Sequence, residues 1–118
     1  MGDRIVYTIK QSDGYAINLY SHWGGTERYY ALAHALDKAR NRWTDETYAA
    51  RIIVSNLIGP DWHEETGFGL WAGSGDGAII AGDHPDIIIN LTDNTVRDET
   101  GTHEFDEFVS YHAADLKV

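Results

Sequence analysis

Two runs of alternating side chains, Arg4 to Lys10 and Tyr15 to His22, flank the turn signal Ser12-Asp13-Gly14. A period of two puts Ile5, Tyr7 and Ile9 on one face of a strand and Val6, Thr8 and Lys10 on the other. The second run sets Tyr15, Ile17, Leu19 and Ser21 against Ala16, Asn18, Tyr20 and His22. Two such runs around a short Asp-Gly turn predict a β-hairpin. The second strand is broken by Gly24-Gly25, and an apolar stripe of helical period follows at once. The stretch Tyr20 to Thr26 therefore forms a corner between strand and helix, and the layers must stack around it.

After the corner, Tyr29, Leu32, Ala33, Leu36 and Arg40 recur at helical spacing. Thr26 is the expected N-cap, with Glu27 in the first turn, and Lys38, Arg40 and Arg42 suit the carbonyl end. A second helix is expected to cap on Thr44. Asp45 and Glu46 begin it, and Ala49, Ile52, Ile53, Asn56 and Leu57 form its stripe. Trp43 before that cap and Tyr48 within the helix match a hydrophobic staple, and Gly59-Pro60 stops the helix.

The second half reads as strands and a closing helix. Gly67 to Trp71 is expected as a short strand after a polar loop over 61–66, and Gly73 to Gly77 as a flexible loop. Asp83 to Asp86 is a turn. Ile87-Ile88-Ile89-Asn90-Leu91 is apolar on both faces and predicts a central strand, with Thr95 to Arg97 its hairpin partner. Asp98 to His103 reads as loop, Glu104 to Tyr111 as a short helix, and Ala113 to Val118 as a fraying end. The elements run ββααβββα. This predicts a single α+β domain over 1–118, one antiparallel sheet of about five strands with helices packed on one face.

The corner is also where chemistry is expected. Its residues His22, Trp23, Gly24, Gly25 and Thr26 are the ligand-binding candidates. Amides at a helix N-terminus can hold an anion, His22 could donate or shuttle a proton, and Trp23 could stack on a flat group. Packing alone would also explain them, and no second catalytic partner is identifiable, so the catalytic residues are unknown. Gly67-x-Gly69-x-x-Ala72 imitates a dinucleotide fingerprint but lies within a strand pattern instead of opening a helix. Ser74 lacks a nucleophile elbow, and no lysine completes a phosphate loop. His63 has no histidine four residues on, so a zinc peptidase motif is absent. His103, Glu104, Asp106 and Glu107, or Asp76 and Asp83, could hold a hard cation, but such clusters are usually solvated faces. No metal or cofactor is therefore expected.

Charge narrows the partners. With 19 acidic and 9 basic residues the formal charge is −10. That disfavours direct contact with nucleic acid or anionic membranes and permits a basic protein partner, a cation or simple solubility. The chain has no cysteine, no apolar run long enough to span a bilayer and no signal-peptide pattern, so it is expected in the cytoplasm. Oligomeric state is left open.

A set of short motifs carries a resemblance. These are His22-Trp23-Gly24-Gly25 after a strand, Arg42-Trp43-Thr44-Asp45 with Tyr48, Ala50-Arg51-Ile52, Thr66-Gly67-Phe68-Gly69, the strand Pro85 to Asn90, and Phe105 to Phe108. Together they span most of the chain, which resembles a small family of bacteriophage and prophage proteins. That family has no assigned activity, so the resemblance implies a phage accessory origin in a host cell and transfers no role to any residue. The leading expectation is a non-enzymatic accessory protein that binds a host or phage protein. The alternative is a small-ligand, nucleotide-like binding protein or hydrolase built at His22 to Thr26.

Overall fold

A computed structural model describes residues 2–73 and 83–112. The expected loop past Gly73 falls largely on residues outside that description, as do Asp76 and the expected frayed end at 113–118.

The hairpin forms as its alternation requires. Strand β1 (Ile5–Lys10) pairs antiparallel with β2 (Ala16–Ser21), with Tyr7 opposite Leu19 and Ile9 opposite Ile17. Helices α1 (Arg28–Lys38) and α2 (Glu46–Ile58) follow. The chain then returns through β3 (Phe68–Gly73) to the free edge of β2. The last elements are β4 (Ile87–Asn90), β5 (Thr95–Asp98), β6 (Gly101–Glu104) and α3 (Phe105–His112).

The strand order is β3-β2-β1-β4-β5-β6. This α+β sheet corrects the sequence reading twice. It is mixed, not antiparallel, because β4 lies parallel to β1, with Tyr7 beside Ile87 and Ile9 beside Ile89. With β3 on the outer edge of β2, β4 takes the other edge of β1 and enters it in the same direction. A strand apolar on both faces suits that central slot. The sheet also has six described strands instead of about five, since 101–104, expected as loop up to His103 and as helix from Glu104, pairs with β5. Asp98 makes that turn, its Oδ1 accepting from the amide and hydroxyl of Thr100, while Gly101 takes a φ of +132°.

One core lies between the sheet and the helices. Ile5, Tyr7, Ile9, Leu19, Ile87, Ile89 and Val96 share it with Leu32, Leu36, Ile53, Phe105 and Phe108. The helices thus lie on one face, as their stripes imply. On the other face of β1, Thr8 Oγ1 donates to Asn18 Oδ1 at 2.8 Å, which satisfies a buried hydroxyl across the pair. No described helix is long and apolar enough to cross a membrane.

Helix termini depart from the expected caps. Glu27 and Asp45, not Thr26 and Thr44, hold the N-cap positions, and neither makes a side-chain cap bond. Arg40 and Arg42 lie beyond α1 in a 3-10 turn, and a second such turn, Gly59–His63, replaces part of the expected polar loop. The Trp43–Tyr48 staple is replaced by a longer-range contact. Trp43 packs edge-on against Phe105, 5.2 Å between centroids, and its Nε1–H donates to Leu36 O at 2.9 Å. Tyr48 stays exposed under the Arg42 guanidinium.

Phe105→Ala is accordingly expected to cost about 3–5 kcal/mol, the usual loss for a buried aromatic, whereas Tyr48→Ala should cost less than about 1 kcal/mol. Urea melts check both, and a Tyr48→Ala loss well above about 1 kcal/mol would show that the staple forms.

Candidate functional site

The corner is closed by the first residues of the chain. Asp3 N–H donates to His22 O at 2.7 Å, and Gly25 N–H donates to Asp3 O at 2.7 Å. The Asp3 carboxylate then reaches the turn itself. Thr26 N–H donates to Oδ2 at 2.6 Å, the Thr26 hydroxyl donates to the same oxygen, and His84 Nε2 bonds Oδ1 at 2.6 Å. Gly25 is where these groups crowd. A Cβ there would lie 2.3 Å from His84 Cδ2 and 2.6 Å from Asp3 Oδ1, so only glycine fits.

This placement changes the meaning of the candidates. The anion expected at the start of the helix is present, and it belongs to the chain: Asp3 takes the amide and hydroxyl of Thr26. His22 is tied in by its backbone N–H to Gly67 O at 2.9 Å, and its Nδ1 meets the Tyr20 hydroxyl at 2.5 Å. Its ring lies edge-on to Trp23, 4.7 Å between centroids. His22 and Thr26 thus brace the corner. Arg28 extends the brace, donating to Gly25 O at 2.7 Å and to Glu99 Oε1 at 3.0 Å.

Trp23 behaves differently. It is 61 % exposed. One edge of its ring covers Gly67, which at a φ of +104° leaves no room for a side chain. Two small clefts meet at this ring. One, about 240 Å³, is lined by Tyr7, Ala31, Leu57 and Phe68 together with Glu27 and Asp61. The other, about 260 Å³, adds Glu64 and Thr66. Gly24 lines the first; His22 lines neither. The structure therefore brings Trp23 and Gly24 to a cleft, and gives His22, Gly25 and Thr26 to the clamp.

Elsewhere, Trp62 is exposed with its ring edge-on to His63, and Trp71 is half-buried in β3. Asp83 is engaged by Arg4, whose backbone N–H donates to it at 2.8 Å and whose Nε donates at 3.1 Å. Among the described residues no group of three or more histidines and carboxylates could hold a metal ion. The acidic cluster at 103–107 does not form such a group. Asp3, which organises the corner, had no sequence signal. Glu27 and Asp61 share a cleft only through the fold.

Comparison with family models, with curated proteins and with solved structures returned no match.

Two carboxyl groups near the clamp set opposite pH dependences. The hydrogen bonds from the Thr26 side chain, His84 and the Thr26 amide hold Asp3 down at about 2, below its ordinary 3.8. A lowered folded pKa adds stability above the ordinary value that disappears as pH falls toward 2. Asp86 is the reverse. Its oxygens are shut off from solvent with no partner among the described residues, and burial pushes it up to about 6. The cost of ionising it is absent below its ordinary 3.8, grows toward pH 6 and is full above. Asp3→Asn is therefore expected to lower the melting temperature at pH 7, with the gap to wild type closing near pH 2. Asp86→Asn should raise it at pH 7 and change little at pH 4. Thermal melts across pH 2–8 check both signs.

Proposed function

We propose that this chain is a non-enzymatic phage accessory protein that binds a basic segment of a host or phage protein, with Trp23 as its anchor. The carrying observation is the composition of the Trp23 cleft. Its floor of Tyr7, Ala31, Leu57 and Phe68 is apolar, Glu27 and Asp61 supply negative charge, and an exposed indole forms one wall. A lysine or arginine side chain matches all three. Its methylene stem would cover the apolar floor, and its cationic head would meet carboxylates and an aromatic face. Arginine suits the site best, because its planar guanidinium stacks and forks at once. A rigid aromatic within a charged rim is also the usual make-up of a binding hot spot.

The chain's charge supports the same reading. A surplus of ten negative charges draws a cationic partner in and repels phosphate backbones. The phage origin rests on the motif resemblance alone. A nucleotide-like ligand or hydrolase at His22–Thr26 has less support, because Thr26 already donates to Asp3 and His22 Nδ1 is engaged by Tyr20.

Calorimetric titration with an arginine-rich peptide should give binding that weakens as salt rises. Trp23→Ala, and separately the pair Glu27→Lys with Asp61→Lys, should each weaken it by tenfold or more, or about 1.4 kcal/mol. Glu104→Lys, on the opposite edge strand, serves as the control for bulk charge. A loss of binding free energy from Glu104→Lys of half that from the charge pair or more, with none from Trp23→Ala, would reduce the effect to net charge and sink the reading.

A further inference from the structure

A larger cleft, about 580 Å³, opens between the β5–β6 hairpin, α3 and the first turn of α1. Its volume lies within the range of about 300–1,000 Å³ usual for small-molecule sites. The walls are aromatic. His112 stacks on Tyr29 at 5.3 Å with a 14° tilt between rings and on Tyr111 at 4.9 Å with 29°. Phe108 packs 4.5 Å from the His112 ring. Tyr111 is nonetheless 75 % exposed, so this stack presents ring surface to solvent.

The polar side of the cleft is Asp98, Thr100, His103 and Glu107. Asp98 is buried, its side chain 3 % exposed. Its Oδ1 accepts the Thr100 hydroxyl proton at 2.5 Å, so the Thr100 oxygen is left to accept from His103 Nε2 at 3.0 Å. That chain places the imidazole proton on Nε2. In the neutral ring Nδ1 is then the acceptor, 3.8 Å from Glu107 Oε1. On this side of the cleft the neutral imidazole and the Glu107 carboxylate both accept, so a ligand seated there brings the donor.

We infer that this cleft binds a flat heteroaromatic ring carrying an amino group, of the aminopurine or aminopyrimidine kind. The ring lies against the Tyr29–His112–Tyr111 stack, and the amino group donates to His103 Nδ1 and Glu107. An oxo group in the same place would set acceptor against acceptor. A phosphate would face Asp98 and Glu107, so the uncharged base or nucleoside is preferred to the nucleotide. The site is separate from the Trp23 cleft and does not depend on the basic-partner reading.

The test is an NMR titration of the full chain with adenosine and cytidine, against inosine and uridine as oxo counterparts and adenosine monophosphate as the charged one. The expected result is saturable shifts at 98–112 with at least one amino nucleoside, and binding at least tenfold weaker for its oxo counterpart. The monophosphate should bind more weakly than adenosine, with the gap narrowing at high salt. Tyr111→Ala and Glu107→Gln alter exposed side chains and should each weaken binding at least fivefold. Absence of saturable binding below millimolar concentration would overturn the inference. So would equal affinity for amino and oxo forms, or shifts centred on Trp23; the first two failures leave peptide binding at Trp23 untouched, and the third is told apart by competition with the peptide.

Discussion

The Asp3 carboxylate lies between the Thr26 amide and hydroxyl on one side and the His84 ring on the other. Three separate pieces of chain converge on it: the segment leading into β1, the turn between β2 and α1, and the approach to β4. The first brings the acceptor, and the other two bring donors that would otherwise need a partner at a crowded corner. Because β1 and β4 are the two central strands, fixing their approaches to the same carboxylate fixes the middle of the sheet. The neighbouring contact between Arg4 and Asp83 doubles the link between those two segments. The glycine at 25 follows from this convergence, since the ring and the carboxylate both press on its α-carbon.

That corner also sets where binding surfaces can be. With the helix terminus answered internally, Trp23 is the corner residue left turned toward solvent, beside an apolar floor and carboxylates. On the far side, Arg28 couples the same turn to Glu99 in the hairpin that frames the larger cleft. Both clefts pair aromatic surface with acidic rims, which fits a chain carrying twice as many acids as bases. They differ in shape. The Trp23 cleft is narrow enough for one side chain, whereas the α3 cleft presents stacked rings suited to a planar guest.

Much of the fold was legible wherever neighbours in sequence are neighbours in space. Alternation gave the β1–β2 hairpin, and helical periodicity gave α1, α2 and α3 within a few residues. The both-sided apolar run at Ile87 to Ile89 marked the centre of the sheet. What could not be read was pairing at a distance. Nothing in the local pattern says whether β4 lies beside β1 or returns beside β3, and so the parallel pair was missed. The Asp98 turn carried a readable signal, an acid two residues before a threonine and three before a glycine, that was taken for loop. Trp43 was placed on Tyr48 by spacing, but Phe105 offers it a buried face. The candidate site was half legible: Trp23 and Gly24 line a cleft, while Asp3, Glu27 and Asp61 join the corner only through tertiary contact.

The parallel pairing of Tyr7 with Ile87 has a consequence during synthesis. The hairpin partner of β1 emerges from the ribosome almost immediately, but its other neighbour is made only after α1, α2 and β3. Until then one long, apolar edge of the nascent sheet has unpaired backbone, open to the wrong strand or another chain. Closing that gap joins distant points of the chain, the slow kind of step in folding. The N-terminal half is thus the part most dependent on the C-terminal half arriving in time.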